Sequence, residues 1–225
     1  MVDWDACLAG IEGVDLTGQL LRLVESQEQV ATNQLVDSLA KQALLEELLE
    51  ASKPPPRPGT AGLHYLLATP FRYPPLKHGS RFGRRHEPSL FYGAHESRCV
   101  MAEAAYYRFV FWYGMRVAPA RKLDTQHTLF AVEYRTQRGL RLQDPPFAAH
   151  EAMLRHPADY AASQALGSRM RESGIDAFEY VSARDPHHGI NVALFSPEAF
   201  AQPKPVWQEP WLAETTGMHV RYQSV

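Results

Sequence analysis

Residues 175–195 read IDAFEYVSARDPHHGINVALF, and this stretch contains two apolar and aromatic runs with a turn between them. Short runs rich in Phe, Tyr, Val and Leu that are bounded by Gly, Pro or Asp are typical of β-strands. Residues 178–183 and 190–195 are therefore predicted to be strands. The sequence PHHG at 186–189 supplies the turn between them,.

Strands and helices upstream of this pair follow one another irregularly. Further strands are predicted at 63–68, 89–93 and 128–134,. Ser97 is a plausible N-cap for a helix at 98–113, and Asp159 is one for a helix at 160–173; each helix is followed by a glycine,. Because this order does not fit a doubly wound parallel sheet, we expect an α+β fold with a split, mostly antiparallel sheet and flanking helices.

The N-terminal part of the chain is predicted to be a separate helical region, residues 1–52. Apolar side chains recur at helical spacing over 15–51, and Asn33 leaves open whether one long helix or two shorter ones form. These apolar positions are Leu16, Leu20, Leu23, Val24, Leu35, Leu39, Ala43 and Leu44. Prolines at 53–59 end the helix and predict an extended linker. Residues 60–225 form the predicted main body of the chain.

Composition limits the classes of function. The 225 residues have 45% hydrophobic side chains and a formal net charge of −2, which is typical of a soluble globular protein without general attraction to nucleic acid or anionic membranes. The acidic N-terminus lacks the features of a signal peptide. Cys7 and Cys99 lie far apart without metal-ligand spacing. We therefore expect a cytoplasmic protein with no membrane segment and no direct contact with nucleic acid.

An irregular basic segment precedes the strand at 89–93. Arg72 and Arg81 belong to it, together with further Arg, Lys and His residues. Guanidinium groups on a loop suit bidentate binding of phosphate, although a solvated basic loop is the better interpretation for any one of them. Arg81 stands out because GSRFG at 79–83 places it between small residues and beside an aromatic anchor,.

Two residues that follow this segment are candidates for a site. Tyr92 lies at the end of the predicted strand, where its ring can stack on a flat ligand; a core tyrosine is the alternative. Glu103 is the single acid in the long apolar run CVMAEAAYY at 99–107. A carboxylate there must be paired with an arginine, hydrogen-bonded or open to a polar pocket, because an isolated buried charge is too costly.

The opening stretch contributes three more candidates. Ser182 and Arg184 share one face of the strand at period two, and Asn191 begins the next strand,. His187 and His188 are adjacent, and no acid or cysteine at ligand spacing joins them, so no metal site is expected. The chain also lacks the Gly-x-Ser-x-Gly elbow of serine hydrolases and the glycine-rich phosphate loop of nucleotide triphosphatases,.

In this order the motifs resemble the RES domain family. The resemblance covers roughly residues 60–200 and rests on GSRF at 79–82, LFYG at 90–93, AE at 102–103, DAF leading into YVSAR over 176–184, and NVALF at 191–195. The family is named after an Arg, a Glu and a Ser, which here would be Arg81, Glu103 and Ser182. One departure is RFGRR at 81–85, where Arg-Phe-Asn or Arg-Trp-Asn is often seen.

The resemblance implies a fold similar to ADP-ribosyltransferase toxins and an activity on NAD⁺. Members are typically toxins that consume NAD⁺ by hydrolysis or phosphorolysis, some transfer ADP-ribose to a protein, and an Xre-type helix-turn-helix antitoxin neutralises them. NAD⁺ would be the substrate, with no cofactor and no metal. Glu103 would stabilise the positive charge that develops on the ribose, Arg81 would clamp the pyrophosphate, and Ser182 would orient a ribose or the acid.

Further binding residues complete this prediction. Tyr92 would stack on the nicotinamide, and Arg72, Arg184 and Asn191 are the additional predicted substrate-binding residues. The acceptor stays open between water, phosphate and a protein side chain. A binding module that holds a nucleotide or another anion without turnover is the alternative function. Residues 1–52 could serve self-association into a homodimer, bind a partner, or pack on their own domain.

Overall fold

The computed structural model describes residues 2–26 and 38–225. The strands are β1 (Val14–Glu25), β2 (Phe91–Ala94), β3 (Leu123–Arg141), β4 (Ala177–Val181), β5 (Ile190–Leu194), β6 (Trp207–Thr215) and β7 (Val220–Ser224). The α-helices are α1 (Trp4–Leu8), α2 (Leu39–Ser52), α3 (Tyr65–Arg72), α4 (Ser97–Gly114), α5 (Glu151–Leu154) and α6 (Ala161–Glu172). Short 3₁₀ turns lie at Phe147–His150 and Pro197–Ala199.

The strands form one seven-stranded sheet in the order β1-β2-β5-β4-β3-β6-β7. Strands β3 and β4 run parallel, and the other pairs are antiparallel. Because β1 pairs with both β2 and β3, the first five strands of this order close into a ring, from which β6 and β7 extend. The predicted α+β fold with a mostly antiparallel sheet and flanking helices is confirmed.

Two apolar cores lie on the two faces of this sheet, because successive side chains of a strand point to opposite sides. Ala177 of β4 packs in one core with the buried Leu20 and Phe130. Phe178, its neighbour, packs in the other with Phe82 and with Leu166 of α6. Both faces of β4 are therefore covered, and the strand is a rigid base for the residues that follow it.

The prediction of helix over 15–51 is wrong for its first part, because residues 14–25 form β1. Leu16 and Leu20 are fully buried on one face of this strand. A spacing of four residues keeps side chains on one face of a helix and also on one face of a strand, so the apolar pattern fitted both. β1 belongs to the main sheet, and 1–52 is therefore not a separate helical region. Helix α2 matches the second part, while Asn33 and Leu35 lie outside the described residues.

Several other boundaries differ from the prediction. Residues 63–68 do not form a strand: α3 begins at Tyr65, with the side chain of His64 accepting the N–H of Leu66. Ser97 is the first residue of α4 and its cap is Glu96.

The proline segment 53–59 contains no helix or strand, yet Arg57 donates to the carbonyls of Ser89 and Phe195 and so holds it against the sheet. Strands β6 and β7 had no prediction.

Among the described residues, no helix combines the length and the apolar character needed to cross a bilayer.

Candidate functional site

A pocket of about 290 Å³ opens between β1, β2 and α4. Its charged and amide-bearing lining residues are Arg22, Arg81, Arg184, Glu103 and Asn191. Four tyrosines also line it: Tyr92, Tyr107, Tyr160 and Tyr180. Arginines and flat aromatic rings around a single carboxylate suit a ligand that carries both anionic groups and rings.

Glu103 of α4 receives two hydrogen bonds from neutral donors. Its Oε1 accepts the Ser182 hydroxyl at 2.5 Å and the Asn191 amide nitrogen at 2.8 Å. Within the part of the chain that the structure describes, no Lys or Arg nitrogen forms an ion pair with it. The carboxylate is therefore held in place while its negative charge stays available to a ligand in the pocket.

Ser182 lies fully buried directly after β4, and its hydroxyl orientation follows from its partners. The oxygen accepts the backbone N–H of Arg184 at 3.0 Å and that of Asp185 at 3.1 Å. A serine hydroxyl has one proton and two lone pairs. Since both N–H groups occupy the acceptor side, the proton is directed to Glu103.

Asp185 fixes the conformation of the turn between β4 and β5. Its carboxylate is buried and accepts Arg98 at 2.6 Å on both oxygens, the His187 N–H at 3.0 Å and the Gly189 N–H at 3.1 Å. These bonds fix the path of the chain from Ser182 to Asn191. Asp185 is a positioning residue that the sequence reasoning missed, because an acid beside a turn is also typical of a solvated loop.

Asn191 is oriented by a second neighbour, Cys99 of α4. The Cys99 thiol donates to Asn191 Oδ1 at 3.2 Å, which leaves the amide nitrogen to face Glu103. Burial raises the pKa of Cys99 to about 12, so the thiol keeps its proton and remains a donor,.

Arg81 is buried on the loop between α3 and β2. Its Nη1 donates to the carbonyls of Leu154 at 3.0 Å and His156 at 2.9 Å, and its guanidinium carbon lies 4.6 Å from the centre of the Tyr160 ring. The next residue, Phe82, anchors the loop in the core, 4.8 Å between ring centres from Phe178. The arginine is thus held rigidly at the pocket wall, as its aromatic neighbour suggested.

Tyr92 combines both interpretations that the sequence left open. Its ring lines the pocket, while its hydroxyl contacts Ser80 Oγ at 2.8 Å and accepts the N–H of Phe82 at 3.2 Å. Burial raises the pKa of Tyr92, so the hydroxyl stays protonated,. The residue links β2 to the loop that carries Arg81, and it lines the pocket.

The two remaining predicted arginines lie in different places. Arg184 lines the pocket, with its guanidinium carbon 3.4 Å from the Tyr106 ring centre and Nη2 donating to Tyr160 Oη at 3.2 Å. Arg72 does not line it: its Nε donates to the Pro54 carbonyl at 2.6 Å and Nη1 pairs with Glu50 at 2.5 Å. Arg72 therefore ties α2 and the proline segment to α3, and its role in substrate binding stays a prediction.

Arg22 is the most informative lining residue that the sequence reasoning missed. Arg22 lies on β1, where apolar spacing predicts a helix. The sequence signal for a functional residue there is a single arginine within the apolar run LLRLV. Tyr107 was also missed, because it follows Tyr106 in an apolar helix. Tyr107 is 53% exposed, and partial desolvation raises its pKa, so at neutral pH it keeps a protonated hydroxyl.

No group of three or more His, Cys, Asp or Glu side chains in the described ranges, 2–26 and 38–225, is arranged to hold a metal ion. His188 instead lies beside Arg155, with Nδ1 at 3.3 Å from the Arg155 Nη1 atom.

Comparison with known proteins identifies a family and a distant structural likeness. The model of a family described as RES domain matches residues 54–215. A comparison with curated protein sequences gives no significant match. Among solved structures, the chain is similar to one from the crystal structure of the M. tuberculosis MbcT–MbcA toxin–antitoxin complex, with 12% identity, coverage of 91% of this chain and 87% of that chain, and a TM-score of 0.49.

Proposed function

The chain belongs to the RES domain family, and from this premise we propose that it consumes NAD⁺ by cleaving the bond between nicotinamide and ribose. The observation that carries the proposal is the Glu103 carboxylate, held by Ser182 and Asn191 without an ion-pair partner in the described residues. A negative charge fixed in this way stabilises a positive charge that develops beside it during a reaction.

The bond cleavage places a positive charge on the ribose. The C1′–N bond breaks, its electron pair leaves with neutral nicotinamide, and the ribose becomes an oxocarbenium-like cation. Glu103 stabilises this cation and accepts hydrogen bonds from the ribose hydroxyls. Water or inorganic phosphate then donates an oxygen to C1′ and releases a proton, which gives ADP-ribose or its 1-phosphate. With a protein side chain as the acceptor, the product is an ADP-ribosylated protein.

The other pocket residues hold the pyrophosphate and the nicotinamide of the substrate. Arg81 presents a guanidinium to the pyrophosphate, and Arg184 adds a second cation near it. The Tyr92 ring stacks on the nicotinamide. Ser182 acts on Glu103, since its single proton is directed at the Oε1 atom,. Asn191 donates one N–H to the same atom, and the second N–H of its amide binds the substrate,.

A direct assay tests this proposal. Purified protein is incubated with NAD⁺, with and without phosphate, and nicotinamide release is followed by chromatography. Glu103→Gln keeps the shape of the side chain but removes its charge, and we expect the rate to fall by about 100-fold or more. Glu172→Gln is the matched control, because Glu172 is exposed at the end of α6 and pairs with Arg169 at 2.6 Å. Its rate should equal that of the wild type.

Persistence of NAD⁺ at stoichiometric protein under both conditions would contradict the enzymatic proposal. Calorimetric binding of NAD⁺ without nicotinamide release would then select the alternative, a nucleotide-binding module. Incubation of labelled NAD⁺ with cell lysate separates transfer to a protein from hydrolysis and phosphorolysis, because only transfer leaves the label on a polypeptide.

As the family resemblance implies, we also propose a toxin that acts in the cytoplasm and is neutralised by an Xre-type helix-turn-helix antitoxin. Expression of the chain in a bacterial host should lower cellular NAD⁺ and stop growth. Co-expression of a small helix-turn-helix protein encoded by a neighbouring gene should restore both. Growth arrest that persists in the Glu103→Gln variant would argue against NAD⁺ loss as its cause.

A further inference from the structure

Arg22 enters the pocket from a part of the chain that the family match does not include. The match covers residues 54–215, whereas Arg22 lies on β1 at 14–25. β1 pairs with β2 at Leu21 and Ala94, and both of these residues line the pocket together with Arg22. One wall of the pocket is therefore made by the N-terminal strand.

The Arg22 guanidinium has few partners within the protein. Nη1 donates to the Tyr92 carbonyl at 2.6 Å, and the guanidinium carbon lies 4.8 Å from the Phe91 ring centre. The Nε atom is buried and has no hydrogen-bond partner among the residues that the structure describes. In the ranges 2–26 and 38–225 no carboxylate forms an ion pair with Arg22. Burial of a cation without a counter-charge is unfavourable.

The ionisation of Arg22 reflects this environment. Desolvation lowers the pKa of Arg22 to about 10, which still leaves the group charged at neutral pH. The protein thus maintains a desolvated positive charge at the pocket wall, and an anion bound in the pocket would neutralise it.

Arg108 and Arg171 provide a comparison, because each also has one buried nitrogen without a partner. Arg108 forms an ion pair with Glu25 at 3.2 Å, and the charge of Glu87 acts favourably on Arg171. Neither arginine lines the pocket. Within the described part of the chain, Arg22 differs from both because it combines a nitrogen without a hydrogen-bond partner, no ion pair with a carboxylate and a position in the pocket wall.

We propose that Arg22 binds a phosphoryl group of the substrate, so that β1 supplies a substrate-binding residue additional to Arg81 and Arg184. This inference rests on the proposed function, since NAD⁺ carries two phosphoryl groups in its pyrophosphate. A guanidinium matches phosphoryl oxygens in geometry and charge. Arg81 commits Nη1 to two carbonyls, which leaves part of the pyrophosphate for another cation.

Steady-state kinetics on the full chain test the assignment. In Arg22→Gln we expect KM for NAD⁺ to rise by about tenfold or more, because a charge-assisted hydrogen bond is lost. We expect kcat to stay within about threefold, because the phosphoryl contact is the same before and during bond cleavage. Arg22→Lys keeps the charge without the planar fork and should give an intermediate KM. Arg171→Gln is the control, and its KM should match the wild type.

Two further measurements separate binding from folding and from turnover. Thermal unfolding identifies variants that fail to fold; in that event Arg22→Lys supplies the kinetic comparison. Calorimetry with inorganic pyrophosphate measures the anion contact without any reaction, and Arg22→Gln should bind it about tenfold more weakly than the wild type.

Unchanged KM and unchanged pyrophosphate affinity in a folded Arg22→Gln variant would overturn the assignment and leave the proposed activity intact. Lack of NAD⁺ turnover in the wild type, together with loss of pyrophosphate binding in the variant, would support the Arg22 site and overturn the proposed activity.

Discussion

Replacement of Asp185 tests how firmly the turn after β4 is held. The buried carboxylate accepts Arg98 on both oxygens, and it also accepts the N–H groups of His187 and Gly189. Asp185→Ala removes every one of these acceptors. A buried donor left without an acceptor costs about 1–3 kcal/mol. The Gly189 N–H is buried and should incur such a cost.

Solvent exposure of Arg98 reduces the loss from the ion pair. Its side chain is 42% exposed, so water can solvate it once Asp185 is gone, and the full cost of a broken buried pair of about 3–5 kcal/mol does not apply. With the two backbone donors included, we expect the free energy of unfolding to fall by about 2–4 kcal/mol. Asp185→Asn keeps one acceptor oxygen and the shape, and should lose about half of that.

Urea unfolding followed by circular dichroism measures these losses, with the slope m used to confirm that the mechanism of unfolding is unchanged. Arg169→Gln is a control, since it breaks an exposed pair with Glu172 on α6 and should change stability by less than about 0.5 kcal/mol,. We also expect Asp185→Asn to lower kcat, because a shift of the turn would move the backbone N–H of residue 185 that donates to the Ser182 hydroxyl oxygen. If Asp185→Ala lowers the free energy of unfolding by less than about 1 kcal/mol at unchanged m, Asp185 does not stabilise the turn as proposed.

Two further predictions concern Cys99 and His127. Cys99→Ser keeps a donor for Asn191 Oδ1 and should retain more activity than Cys99→Ala, which we expect to lower kcat by about 2–10-fold,; equal kcat values would remove Cys99 from the network. Burial and the charge of Arg108 lower the pKa of His127 below 6.5. The unfolded chain therefore binds a proton first on acidification, and stability falls as pH drops below about 6.5. Calorimetric melting between pH 7.5 and 5 should show a smaller fall in Tm for His127→Gln than for the wild type; parallel curves would exclude His127 as the source.

The sequence indicated the candidate site best where a residue type was unusual for its surroundings. Glu103 is a lone acid in an apolar helix, and few arrangements accommodate such a residue. The structure places it against Ser182 and Asn191, which the sequence also singled out. Arg72 is not unusual for its sequence surroundings, because a cation on an irregular loop can either bind a ligand or form a surface ion pair. The structure gives it the ion pair with Glu50.

The N-terminal strand could not be predicted from apolar spacing. Leu16, Leu20 and Val24 lie on one face of either a helix or a strand, and local pattern does not decide between them. The segment is a strand because it pairs with β3 along the whole length of β1, at a sequence separation of about 100 residues or more. For the same reason, Arg22 could not be recognised from the sequence as a pocket residue. Its side chain reaches the pocket because β1 closes the sheet.

Closure of the sheet ties the stability of the fold to the shape of the pocket. Gly93 of β2 lies so close to β1 that an added Cβ would be 2.5 Å from Leu20 Cδ1 and 2.7 Å from the Leu21 carbonyl oxygen. The lack of a side chain at Gly93 therefore lets β1 approach β2. The same approach brings the Arg22 Nη1 atom to the Tyr92 carbonyl. Any change that separates the two strands removes core packing at Leu20 and also displaces a cation from the pocket wall, so ligand affinity and β1 pairing should weaken together.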